Sequence, residues 1–158
     1  MADVHDLFPG YVIDTSALID LKPYPHDIFK SLWQNIEALI GEGNLIAPSE
    51  VLVELQRQRD DLLSWARKKM RFVDLEPEQV ALLAEIERDF PDLVDKEKST
   101  PEADPFVIAL ARAKGWKVVT QEKLAKPGAR RKMPDVCVHY KVKVLSLFEF
   151  FREKKWEF

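Results

Sequence analysis

Short apolar runs that alternate with stretches of helical periodicity constrain this chain more than any other feature. YVID (Tyr11 to Asp14) is apolar without alternation and ends abruptly in an acid, the pattern of a strand buried on both faces. NLIAPS (44–49), WKVVT (116–120) and KVKVLSL (141–147) are three further strands, and RFVDLEP (71–77) reads as a connector or brief extended piece. Between them, Phe29, Trp33, Ile36 and Ile40 recur at helical spacing before GEG closes the helix. Val51, Leu52 and Leu55 form the inner face of a helix after the second strand, and DDLLSWARKKM (60–70) continues as another. EPEQVALLAEIERDF (76–90) predicts a helix with Val80, Leu83, Ile86 and Phe90 on one side. DLVDKEKSTPE (92–102) reads as a charged, exposed loop. Asp104 before Pro105 reads as an N-cap with proline at the first helical position, and Gly115 as the stop of that helix. LFEFFREKKW (147–156) is the terminal helix. Strands alternating with helices predict a three-layer α/β/α fold around a mostly parallel sheet, one domain over residues 1–158.

Composition narrows the class. Of 158 residues, 46% are hydrophobic and 32% charged, ordinary for a globular protein. No apolar run approaches the roughly 18 residues of a membrane span. The first ten residues carry acids where a signal peptide needs a basic region and an apolar core. One cysteine, Cys137, excludes an internal disulfide and a cysteine-rich zinc site. These features predict a cytoplasmic protein without membrane contact. The net charge of −3 runs against a general nucleic-acid binder, yet the stretch from Lys123 to Lys132 holds five basic residues and no acid. A second basic run spans Arg67 to Arg71.

The acids fall where chemistry is expected in such folds. Asp14 ends the first strand, Glu54 lies on the helix after the second, and Asp104 starts the helix that feeds the third. Glu122 follows that third strand. Open α/β sheets place ligands outside the carboxyl ends of their strands, so these four acids are candidates for one cleft. A cation would remove the repulsion of clustered carboxylates. Oxygen donors without histidine or cysteine select Mg²⁺ or Mn²⁺ over Zn²⁺. Each acid also has a plainer role: Asp14 and Asp104 as caps, Glu54 and Glu122 as solvated surface, with Glu50 an equal candidate one turn before Glu54. The hydroxyls of Thr15 and Ser16 satisfy local backbone or position Asp14 or a water. Cys137 and His139, in the apolar stretch MPDVCVHY, read as core.

Three segments resemble the PIN domain family. YVIDTSALID resembles its first motif, IAPSEVLVEL its second, whose "EL" pair selects Glu54 over Glu50, and ADPFVIALARAKGWKVVTQEK its third and fourth. The long helical middle and the late MPDVC segment resemble a bacterial and archaeal PIN-like branch. The resemblance implies a metal-dependent endoribonuclease similar to VapC toxins, the toxin half of a toxin–antitoxin pair. RNA is then its substrate, an antitoxin protein its partner and a homodimer its assembly. It implies Asp14, Glu54 and Asp104 as metal ligands and Glu122 as the fourth catalytic acid. Many relatives carry Asp at the fourth position where this chain offers Gln121 and Glu122, with Asp135 a further candidate. Lys123, Arg130 and Arg131 are then candidates to hold RNA phosphates. The alternative is a catalytically inactive PIN-like domain that binds RNA or protein. A haloacid-dehalogenase-like phosphatase also begins with a strand ending in Asp, but needs a second Asp where this chain has Ser16.

Overall fold

A computed structural model describes residues 10–94 and 102–158. The expected loop at 92–102 lies largely outside the described residues. Five strands, β1 (Tyr11–Ile13), β2 (Leu45–Pro48), β3 (Phe72–Val73), β4 (Lys117–Val119) and β5 (Val144–Leu145), form one sheet in the order β3-β2-β1-β4-β5. All four pairings are parallel, with Val12 opposite Ile46 on one side and Val118 on the other. The 71–77 segment thus contributes a two-residue edge strand rather than a bare connector.

The strands are short because each needs only to cross a dry centre. Every residue of β1 and β2 is buried, as are Val118 and Val119, so these strands carry apolar side chains on both faces. Helices cover both faces: α1 (Thr15–Ile19), α2 (Lys30–Gly41), α3 (Ser49–Leu55) and α4 (Asp61–Lys69) lie between the strands of one half. The helices α5 (Pro77–Asp89), α6 (Asp104–Lys114) and α7 (Met133–His139) belong to the other half, and α8 (Leu147–Lys154) ends the chain. The connections from β1 through β3 step outward in one direction, and those from β3 through β5 step back in the other. Right-handed crossovers then send the two sets of helices to opposite faces. The result is the expected α/β/α layering. No helix among the described residues is long and apolar enough to cross a membrane.

Several local expectations are revised. Val80 is exposed, and Gln79 turns inward instead, its side-chain oxygen accepting from the Glu76 amide at 2.8 Å. A capping bond at the start of α5 outweighs the apolar stripe there. His139 is exposed rather than core, lying edge-on to Phe90 and Tyr140, whereas Cys137 is buried. Asp104 is the first helical residue of α6, not its N-cap. Ala103 takes that position without any side-chain cap bond, and Pro105 follows at the second.

The sheet's amino edge is closed by close packing. Tyr11 meets Phe150 of α8 edge-on at 4.8 Å, and its hydroxyl donates to Glu153 at 2.6 Å. At Gly10 a Cβ would lie 2.3 Å from the Trp116 ring, so only glycine lets this ring cover the strand start. Gly10→Ala is expected to destabilise the fold by about 1–3 kcal/mol, read as a lower urea midpoint. In a double-mutant cycle with Trp116→Ala, the two losses should be less than additive, and full additivity would refute the role of this packing.

Candidate metal centre

Strand order reverses between β1 and β4, the place where an open parallel sheet opens a crevice at its carboxyl edge. The Asp14 amide donates to the Val119 carbonyl at 3.0 Å, so the two strand ends are locked together there. Asp14 leaves β1 in extended conformation and caps α1, its Oδ1 accepting from the Ala17 amide at 2.9 Å. The Ser16 hydroxyl donates to Oδ1 at 2.8 Å, and the Thr120 hydroxyl donates to Oδ2. Those hydroxyls are themselves oriented from β4. The amides of Gln121 and Glu122 donate to Ser16 Oγ and Thr120 Oγ1 at 3.0 and 3.1 Å. The cap and the site are therefore the same carboxylate.

Ligand-capable oxygens of Asp14, Asp104 and Glu122 all lie within 4.8 Å of one another. Asp104 reaches the cluster because it is not spent as a cap: as the first residue of α6 it stands at the carboxyl edge, since α6 runs back toward the start of β4. Glu122 lies just past β4, and its Oε2 is buried without a hydrogen-bond partner among the described residues. Glu54 lies in the second turn of α3, at its next-to-last position. Its Oε1 accepts from the Thr15 hydroxyl at 2.8 Å, and it lines the same cleft just outside the tight trio. The Thr15 and Ser16 hydroxyls thus hold acids rather than backbone carbonyls.

Burial and mutual repulsion leave their mark on these acids. Asp14 is pushed from 3.8 up to about 7, chiefly by burial, against the hydrogen bonds from Thr120, Ala17 and Ser16. Asp104 is pushed to about 8 by burial and by the charges of Glu122, Asp14, Glu54 and Glu102. Glu122 is also raised, by burial first, with Lys132 pulling the other way. Cys137 is close enough to feel Asp104, Asp14 and Glu122, but burial drives its thiol to about 12. It stays protonated and offers no soft thiolate. The donor set is all carboxylate oxygen, with one oxygen orphaned, and it fits a hard divalent cation.

Glu54, Asp104 and Glu122 line a cleft of about 250 Å³, joined by Glu102, which the motif pattern does not single out although it stands two residues before Asp104. Arg130, Arg131 and Lys132 line it too. Lys123 is exposed and does not, so the basic contribution comes from the far end of the run. The alternatives at the fourth corner have other work. Gln121 donates to Asp20 at 3.1 Å and accepts from the Leu147 amide at 2.8 Å. Asp135 accepts from two loop amides. Glu50, raised by burial and by Asp74, is not part of the cluster.

No curated protein matches this chain. The crystal structure of PAE2754 from Pyrobaculum aerophilum aligns over 84% of this chain and 97% of that one, at 16% identity and a TM-score of 0.43. A family model described as "Domain of unknown function (DUF4411)" matches residues 11–158, and the chain belongs to that family.

Proposed function

We propose that this chain is a Mg²⁺- or Mn²⁺-dependent endoribonuclease of the PIN type. The observation that carries the reading is the convergence of Asp14, Asp104 and Glu122 within 4.8 Å at the sheet's switch point. Three buried or half-buried carboxylates are costly to keep together without a counter-charge, and Arg130, Arg131 and Lys132 lie on the same cleft without closing it. A divalent cation bound there supplies positive charge for a phosphate and acidifies a water, which is why no histidine is required. Asp14, Asp104 and Glu122 would hold it. The Ser16 and Thr120 hydroxyls keep Asp14 oriented, and Thr15 holds Glu54 at the cleft. Arg130 and Arg131 offer forked donors to phosphate oxygens.

Calorimetric titration with Mn²⁺ and incubation with a panel of single-stranded and structured RNAs test this. Saturable Mn²⁺ binding and internal cleavage of RNA, both abolished by EDTA, are expected. Absence of both would overturn the reading in favour of a non-cutting RNA- or protein-binding domain. The toxin role is a separate proposal resting on the motif resemblance. It predicts growth arrest on expression of the wild type, relieved by co-expression of an adjacent antitoxin and absent for Asp104→Asn.

A further inference from the structure

Resting on the ribonuclease reading, we propose that residues 125–132 form a preformed arm that binds the phosphate backbone of a single-stranded RNA across the acid cleft. Asp135 is the positioning residue that holds this arm.

The loop is fastened at both ends by one atom. Asp135 Oδ2 accepts from the Ala125 amide at 3.0 Å and from the Lys132 amide at 2.8 Å, the two residues that bound the arm. Between them the chain reverses at Lys126-Pro127-Gly128-Ala129, where the Ala129 amide donates to the Lys126 carbonyl at 2.9 Å. Proline in the second place and glycine at φ +81° in the third make this a type II turn, which demands a glycine-like third residue. The arm therefore has its shape set by its own sequence and by one carboxylate from α7. Downstream of the turn, the Arg131 guanidinium packs 4.7 Å from the centre of the Phe90 ring, which limits its sweep.

This closure brings three successive cations, Arg130, Arg131 and Lys132, onto the wall of the cleft that Glu54, Asp104 and Glu122 line. A polyanion approaching these acids is repelled unless cations meet it first. The charge pattern suits a strand whose one phosphate lies at the acids and whose neighbouring phosphates lie on the arm. A mononucleotide would leave most of these donors unused. Asp135 uses a single oxygen for both bonds, and this separates it from a metal ligand. An asparagine keeps one such oxygen, whereas a cation site would miss the charge.

The test uses the full chain and a short single-stranded oligoribonucleotide. In EDTA, Arg130→Ala/Arg131→Ala is expected to weaken oligonucleotide binding about tenfold. It should also flatten the log–log salt slope by about 1.4, at about 0.7 for each phosphate that an arginine no longer neutralises. Asp135→Ala should raise KM about tenfold with kcat and Mn²⁺ affinity within about twofold, and speed trypsin cleavage after Arg130 and Arg131. Asp135→Asn should restore both KM and trypsin resistance. An unchanged salt slope in the arginine variant, or wild-type KM and trypsin resistance in Asp135→Ala, overturns the proposal. So does loss of Mn²⁺ binding in Asp135→Asn, which would make Asp135 a ligand. Should the wild type cut no RNA, the ribonuclease reading fails, while the EDTA binding slope and the trypsin rates still decide the arm.

Discussion

Asp104→Asn is expected to lower Mn²⁺-dependent RNA cleavage by about 10²–10³-fold while making the metal-free protein more stable at pH 8. The two effects share one cause. Asp104 stands among Glu122, Asp14, Glu54 and Glu102, and burial plus their charges hold its carboxyl at about 8. An amide of the same size keeps the packing at the start of α6 and removes a charge that the apo fold resists. It also removes a charged ligand oxygen from the trio. Asp14→Asn and Glu122→Gln should lose activity to a similar degree. Asparagine at 14 retains an oxygen to accept from the Ala17 amide, so the α1 cap survives. Glu54→Gln should lose less, about tenfold, because Glu54 lies outside the trio and its Thr15 bond persists. Activity within twofold of wild type in Asp14→Asn and Asp104→Asn, at matched circular dichroism, would sink the assignment.

Metal-free protein should become less stable as pH rises from 5 to 8, and a divalent cation should reverse this. Asp14 is held near 7 and Asp104 near 8 in the folded chain, both above their ordinary 3.8. Between pH 4 and 8 the fold therefore binds more protons than the unfolded chain, so stability falls as pH rises. The loss begins above 3.8, grows until the folded values are passed, and then levels off. Asp14 alone, shifted from 3.8 to about 7, accounts for about 4 kcal/mol at 1.36 kcal/mol per pH unit. In a domain of this size that is on the order of 10 °C in Tm. Asp60, Asp89 and Glu153 have lowered values, and their contributions are lost at acid pH, below this window. Mn²⁺ at a hundredfold excess over its Kd should restore about 2.7 kcal/mol. Thermal melts at pH 5, 6.5 and 8, with EDTA and with Mn²⁺, measure both effects. A flat or rising Tm in EDTA would refute the buried, repelling cluster.

Asp14 was legible because its signal is local: three apolar residues and then an acid mark the end of a buried strand. Gly115, at φ +67° after α6, was legible for the same reason, since only its own backbone conformation is at issue. Asp104 was legible as a helix start and as a cleft acid, but its place within the helix was not. Whether an acid beside proline caps the helix or stands one residue inside it depends on the turn that leads in. Here Ala103 takes the cap and leaves the carboxylate to the cleft.

The ranking of the acids was not legible. The "EL" pair points to Glu54, while the QE after β4 leaves the fourth position open between Gln121 and Glu122. Yet it is Glu122 that closes the trio and carries the orphaned oxygen. Likewise nothing local distinguishes Lys123 from Lys132 in one basic run; the turn at Gly128 and the two amides bound by Asp135 make the difference.

The sequence by itself determined the alternation of strands and helices, the acid at the end of β1 and the glycine stop of α6. These depend on side-chain periodicity, on backbone torsions and on hydrogen bonds within a few residues. Only the tertiary structure decided which acids meet. That follows from β1 pairing with both β2 and β4, whose registers join Val12 to Val118 more than a hundred residues later. Such pairing is set by burial across the whole sheet, and it leaves no periodic trace in the segments it brings together.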